Sequence, residues 1–236
     1  MRPALLLGWV FALLLACLFG ALGAWQYGRG VAKTAFLEAW DSALEAPPET
    51  LLPWRRAEVV ERPQPVTGRI DALDGGRWLL LDNARRGSEV GLRAYFIASV
   101  GDDRGLLVDA GWLPFDRARG LPDMPPLPRQ EPADGLLVPW PGQGIALGES
   151  GFAAAGQPTL LLRLERERLA ADAGVDLVDG LLRLAPRDGA AFARDLDALP
   201  NTLPAEKHFG YALQWWGLAF ATLVVATVLT LRRRPR

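Results

Sequence analysis

FGYALQWWGLAFATLVVATVLTL, residues 209–231, carries no charged side chain. An α-helix rises ~1.5 Å per residue, so about 20 such residues cross the ~30 Å hydrocarbon core of a bilayer. Near the other end of the chain, ALLLGWVFALLLACLFGALGA, residues 4–24, has the same character, and no charge falls between residues 3 and 28. The two runs set the expected fold class, a membrane α+β protein. It has a transmembrane helix over residues 4–28, a β-rich extramembrane domain over 29–207 and a second transmembrane helix over 209–231. Trp25 and Tyr27 close the first run, while Tyr211, Trp215 and Trp216 open the second. Aromatic rings of this kind collect at the headgroup level, which puts both aromatic mouths on the side of the intervening domain.

Charge next to the spans gives the orientation. Arg232, Arg233, Arg234 and Arg236 follow the second span, which favours a cytoplasmic C-terminus, and two spans then make the N-terminus cytoplasmic as well. Arg29 and Lys33, just past the first span, argue the other way and are outnumbered. In a bacterium this corresponds to a two-pass protein of the inner membrane with a periplasmic central domain. A cleaved leader is the alternative reading of the first run, with small residues over 21–24 as the cleavage site. The run is longer than a usual leader core and its leading region holds a single arginine, Arg2.

The central region reads differently. Residues 28–44 continue as a helix out of the membrane until Pro47 and Pro48 stop it. Beyond them come short apolar runs at 66–72, 77–82, 92–100, 106–110 and 159–164, with turn signals at 74–76 and 101–103. That spacing predicts a barrel-like or sandwich arrangement with one or two helices. Residues 165–173 form a short helix ended by Gly174, and the proline-rich stretch 121–141 reads as a surface loop.

Composition closes off several function classes. Of 236 residues, 26 are Lys or Arg and 27 Asp or Glu, so nothing marks a nucleic-acid surface. One cysteine, Cys17, lies in the first apolar run, and one histidine, His208, precedes the second, so neither a disulfide framework nor a multi-histidine metal site can form within one chain. Phosphate-binding, nucleophile-elbow and zinc-protease motifs are lacking. With no second histidine to serve as a base, and with Asp102-Asp103 reading as a solvated turn, the expectation is a protein that is not an enzyme.

Four stretches resemble the Surf1 family of cytochrome c oxidase assembly factors. They are LGAWQYGR at 22–29 with Lys33 beyond it, Pro65-Val66 with Gly68, LVDAGWLP at 107–114, and EKHFGYALQWW at 206–216. The last is the most specific, and the order of the four agrees with the family. There are departures. Asp109-Ala110 stands where the family usually has Asn-Arg, and residues 121–200 match only loosely. The resemblance implies an assembly factor that helps haem A reach the haem-bearing subunit of the oxidase, with haem A held transiently. That subunit, haem A synthase and the lipid bilayer are the partners it implies, and no nucleic acid is among them. A scaffold that holds assembly intermediates without touching haem is the alternative.

The residues at the membrane mouth bear on that choice. His208, Tyr211, Ala212 and Trp215 fall on one helical face, with Gln214 pointing elsewhere, and Trp25, Arg29 and Lys33 form a stripe leaving the first span. Packed together, they bring an imidazole, two cations and several rings to one interface. An imidazole is a common axial haem ligand and propionates pair with Arg or Lys. His208 is thus the expected iron ligand, with Tyr211, Trp215, Trp25, Arg29 and Lys33 around the cofactor. Plainer roles stand beside this one. The tryptophans can be interface anchors, Arg29 and Lys33 can snorkel to headgroups, and His208 can be an interfacial polar residue without a ligand. Trp112 reads as a packing residue at the core or its edge.

Overall fold

The computed structural model describes residues 3–50, 59–101, 103–115, 120–141, 157–198 and 203–232. Asp102 and the tail arginines Arg233, Arg234 and Arg236 lie outside them. The chain divides into two compact units, residues 1–38 with 202–236 and residues 39–201.

In the first unit, helix α1 (Pro3–Glu45) packs against helix α3 (Ala205–Arg232). α1 has 43 residues, about 64 Å at 1.5 Å each, so it runs well past a bilayer core. Mean hydropathy reaches 2.6 and 1.7 in the most apolar windows of the two helices, and only 6% of each window is buried. A soluble core helix hides its apolar side chains, whereas these helices expose Leu7, Phe11, Leu14, Leu213 and Phe220. That surface suits lipid and not water.

What holds the pair together is a seam of small residues. Ala12, Gly23 and Gly30 are buried on α1, and Ala205 and Ala212 on α3. Each glycine takes a ring from the other helix. A Cβ on Gly30 would stand 2.7 Å from Phe209 Cε1, and one on Gly23 would overlap the Trp216 indole. Seven residues separate the two glycines and seven separate the two rings, so the antiparallel helices meet in register along the left-handed heptad period. Rings seated over glycines supply the van der Waals packing on which helix association in lipid rests, since apolar burial gives no driving force between helices there. Trp9 Nε1 donates to Thr230 Oγ1 at 3.0 Å farther along the same interface.

The second unit is a sheet domain. Ten strands occur among the described residues: β1 (Glu49–Thr50), β2 (Gln64–Thr67), β3 (Arg69–Ile70), β4 (Leu79–Arg86), β5 (Glu89–Ser99), β6 (Arg104–Pro114), β7 (Glu131–Pro132), β8 (Gly135–Val138), β9 (Thr159–Leu161) and β10 (Asp176–Leu184). Eight of them form one sheet in the order β1-β2-β8-β10-β6-β5-β4-β9, and β3 pairs with β7. β2 and β3 are in effect one strand interrupted at Gly68. Its far end returns to β5, where Ala72 bridges Ala98 and Leu73 N–H donates to Ile97 O at 2.8 Å. The path β2/β3-β8-β10-β6-β5 therefore closes on itself as a small barrel, with β1, β4 and β9 added at its margins.

Alternation along the strands fills that barrel. Leu92, Ala94, Phe96 and Ala98 of β5 point inward with Leu106 and Val108 of β6, Leu182 and Leu184 of β10, and Leu137 of β8. Helix α2 (Arg166–Ala173) buries Leu169 and ends at Gly174, whose φ of 67° is the left-handed cap position that glycine accepts without penalty.

Two expectations change here. Residues 121–141 are not all loop, since β7 and β8 lie within them and Leu136, Leu137 and Val138 are buried. The prolines flank β8 rather than interrupt it. β10, central to the sheet between β6 and β8, was not expected at all. Gly180 and Asp179 break its apolar run, and the sheet uses that break. Asp179 O accepts from Val60 N–H at 3.0 Å, a Cβ at Gly180 would stand 2.5 Å from Val60 Cγ2, and the register against β6 shifts between Leu177 and Leu181.

Candidate functional site

Two polar groupings stand out, one in each unit. In the helix pair, His208 is half-buried and its Nδ1 lies 2.8 Å from Gln26 Oε1. A carbonyl oxygen can only accept, so this contact is a hydrogen bond in the tautomer that carries the proton on Nδ1. In that tautomer Nε2 is the nitrogen with a lone pair to offer a metal.

The contacts sort the pair into two flanks. On one, His208 meets Gln26 and Trp215 stacks on Phe19, with centroids 5.7 Å apart and planes at 27°. On the other, Tyr27 packs against Phe209 at 5.6 Å and Trp216 at 5.9 Å. At roughly 100° per residue, Lys33, Arg29 and Trp25 follow Gln26 outward on the first flank, and Tyr211 follows His208 and Trp215 on the same flank. The six expected site residues thus spread from the edge of the seam, at His208, Lys33 and Trp215, round to the back of α1, where Trp25 lies about 200° from Gly23.

They do not all touch. Trp25 is 59% exposed and Tyr211 41%, at the outer margins of the flank. Arg29 is exposed, while the Lys33 ammonium donates to Leu203 O. Gln214 is exposed, away from the seam. Gln26, Gly23 and Phe209 stood in the quoted stretches without a role, Trp216 was read only as an interface aromatic, and Gly30 was not singled out. Only the matching seven-residue spacings of glycines and rings could have given them one.

In the sheet domain, the outer face of β5, β6 and β10 holds a buried ionic cluster. Arg93 Nε donates to Asp109 Oδ2 at 2.7 Å, and Arg183 Nη2 donates to Asp195 Oδ1 at 2.6 Å. Arg93 also lies 3.4 Å from Asp195, and Arg183 Nε is 3.5 Å from Asp109. Asp109 Oδ1 accepts from Gly111 N–H at 3.1 Å. Trp40, from the last turns of α1, covers Arg183 at 5.5 Å and donates through Nε1 to Leu196 O at 2.8 Å. Burial pushes the Asp109 carboxyl above its ordinary range, against the pull of Arg93 and Arg183. For Arg93 burial acts downward, but Asp109, Tyr95 and Asp195 together hold its pKa raised. Burial also lifts the Tyr95 hydroxyl, so it stays neutral. Two guanidiniums face two carboxylates, which leaves no unmatched charge for a ligand.

Trp112, which follows Gly111, is 4% exposed and donates through Nε1 to Ala84 O at 3.0 Å, so it packs within the domain. Gly111 itself has φ 125°, a conformation that side chains rarely accept. Asp103 has φ 57° in a tight turn after Gly101. No group of three or more metal-ligating side chains occurs among the described residues.

A family model, the SURF1 family, matches residues 13–220. The chain belongs to the SURF1 family. The match runs from the first apolar helix through the sheet domain into the second, and so takes in both the His208–Gln26 pair and the ionic cluster. SURF1 proteins are linked to cytochrome c oxidase assembly. No curated protein matches the chain. The SURF1 assignment also agrees with a two-pass architecture, since two apolar terminal helices flank the sheet domain.

Proposed function

We propose that this SURF1 protein is a non-catalytic assembly factor that holds haem A as cargo and passes it to the haem-bearing subunit of cytochrome c oxidase. The observation that carries this reading is the His208–Gln26 contact of 2.8 Å, which with the proton on Nδ1 would leave Nε2 to ligate iron. The donor set suits the cargo. His208 would ligate the iron, Arg29 and Lys33 would meet the propionates, and Trp25, Tyr211 and Trp215 would line the macrocycle. Lys33 is engaged by Leu203 O, so the exposed Arg29 is the first cation a propionate would reach. The seam itself is filled by Phe209 and Trp216 over the glycines, so the cargo belongs on the open flank and not between the helices. An isoprenoid tail would then lie in lipid.

The arginines after the second span support a setting for this reading. The protein sits in the bacterial inner membrane with both termini cytoplasmic and the sheet domain periplasmic. Haem A synthase is the natural donor and the oxidase subunit the acceptor.

The test is an absorption spectrum of the protein purified after co-expression with haem A synthesis. Wild type should carry haem A, and His208→Ala should lose it. Gln26→Leu should retain about tenfold less, as expected when the group orienting a ligating imidazole is removed. Wild type free of haem A, or a His208→Ala variant that retains as much, would sink the reading. Intact oxidase assembly in that variant would favour the scaffold instead.

A further inference from the structure

Between the barrel and the proline-rich segment lies a cavity of about 230 Å³. Its floor is aromatic. Trp78 meets Phe96 edge-on at 5.5 Å and Phe192 at 5.1 Å, and Ile70 and Leu184 complete the apolar lining. Trp78 Nε1 already donates to Pro125 O at 2.7 Å, so the floor offers apolar ring surface and no free donor.

The rim has the opposite character. Arg187 and Arg194 both line it, with Glu131 as its carboxylate. Arg187 lies 3.8 Å from Glu131, and both side chains are about half exposed, so water screens that pair. Arg194 meets no carboxylate within ion-pair distance among the described residues. Its Nε donates to Ala110 O at 3.2 Å and its Nη1 to Ala185 O at 3.5 Å. Burial and then neighbouring Arg187 lower the Arg194 pKa, against the opposite pull of Asp109 and Glu131. An anion at this rim would offset the repulsion between the two guanidiniums.

We propose that this cavity binds a small carboxylate with a flat, ring-bearing apolar body. The carboxylate would sit on Arg194 and Arg187, and the ring against Trp78 and Phe192. Guanidinium and carboxylate form a strong charge-assisted pair, and ring-on-ring contact adds to apolar burial. Ligand pockets for drug-sized molecules usually run ~300–1,000 Å³, so this one suits about two fused rings. A porphyrin is too large for it, and the site is independent of the His208 flank.

The experiment uses the full chain in lipid nanodiscs and titrates it calorimetrically with 2-naphthoate. Empty nanodiscs correct for partition into lipid, and 2-naphthylmethanol is the uncharged control. Saturable binding of the acid is expected, at least tenfold tighter than the alcohol. Arg194→Gln and Arg187→Gln should each weaken the acid by about tenfold and leave the alcohol unchanged, since each removes one charge-assisted contact. Arg187 is exposed, so its variant carries the test if Arg194→Gln does not fold. No saturable binding above the nanodisc background overturns the proposal. So does equal binding of acid and alcohol, or an Arg187→Gln variant that binds the acid as wild type does.

Discussion

Asp109 occupies a place in the sheet where water cannot reach it, at 4% exposure, and its charge is met by Arg93 and Arg183. In the sequence, Asp109-Ala110 stood out only as a departure from the Asn-Arg that the family resemblance implies. What the sequence did not show was the compensation. Arg93 is sixteen residues away in β5, and Arg183 lies in a strand whose apolar run is broken by Gly180. Pairings across a sheet are not local, so no window of sequence contains them. A buried charge that loses its partner costs far more than an exposed one, typically about 3–5 kcal/mol. Asp109→Ala should therefore destabilise the sheet domain by about that much, because it leaves two guanidiniums sharing Asp195 and frees Gly111 N–H of its acceptor. Asp109→Asn keeps an oxygen for Gly111 and should cost less. Denaturant unfolding followed by near-ultraviolet circular dichroism would check this, and equal midpoints for wild type and the alanine variant would contradict it.

Among the elements, the apolar helices were readable from composition alone, because lipid demands a long uncharged run and little else resembles one. How they pair was not readable in the same way. Trp25, Arg29 and Lys33 made the obvious stripe, yet the interface runs one step aside, through Gly23, Gln26 and Gly30. Glycine is silent in a hydropathy count, and its value here is the space it leaves for Phe209 and Trp216. Leucine at position 23 or 30 should therefore push the helices apart, while Gly28→Leu, with nothing within 4 Å of its Cβ position, should not. Cysteines replacing Trp9 and Thr230, in a background with Cys17→Ser, would report the pairing through a short bismaleimide. Efficient cross-linking is expected in the parent and in Gly28→Leu, and a severalfold loss in Gly23→Leu or Gly30→Leu. Unchanged cross-linking in the last two would mean the seam is not what holds the pair. The barrel illustrates the same limit. β5 and β6 announced themselves by apolar runs over 92–100 and 106–110, but β8 hid among prolines and β10 behind a glycine.

For the whole molecule the charge pattern contains a conflict. Four arginines after α3 favour a cytoplasmic C-terminus, while Arg29 and Lys33 lie on the domain side of α1 and favour the reverse. In the folded helix pair Lys33 is turned to Leu203 O and so is occupied within the protein. Before folding, however, the insertion machinery meets both sets of cations as bare charges. By number the tail favours a cytoplasmic C-terminus, and topology should be sensitive to it. Green fluorescent protein fused to the C-terminus should fluoresce, since it folds on the cytoplasmic side. Alkaline phosphatase inserted at the exposed β4–β5 turn, at Gly87, should be active on the outer side. Replacing Arg232, Arg233, Arg234 and Arg236 by serine should lower both signals together, because Arg29 and Lys33 then hold the majority near the membrane. A dark C-terminal fusion with an inactive phosphatase in the wild-type chain would invert the topology. It would also place the His208 flank on the cytoplasmic face, where a haem carrier serving a periplasm-facing assembly site would need a different hand-over route.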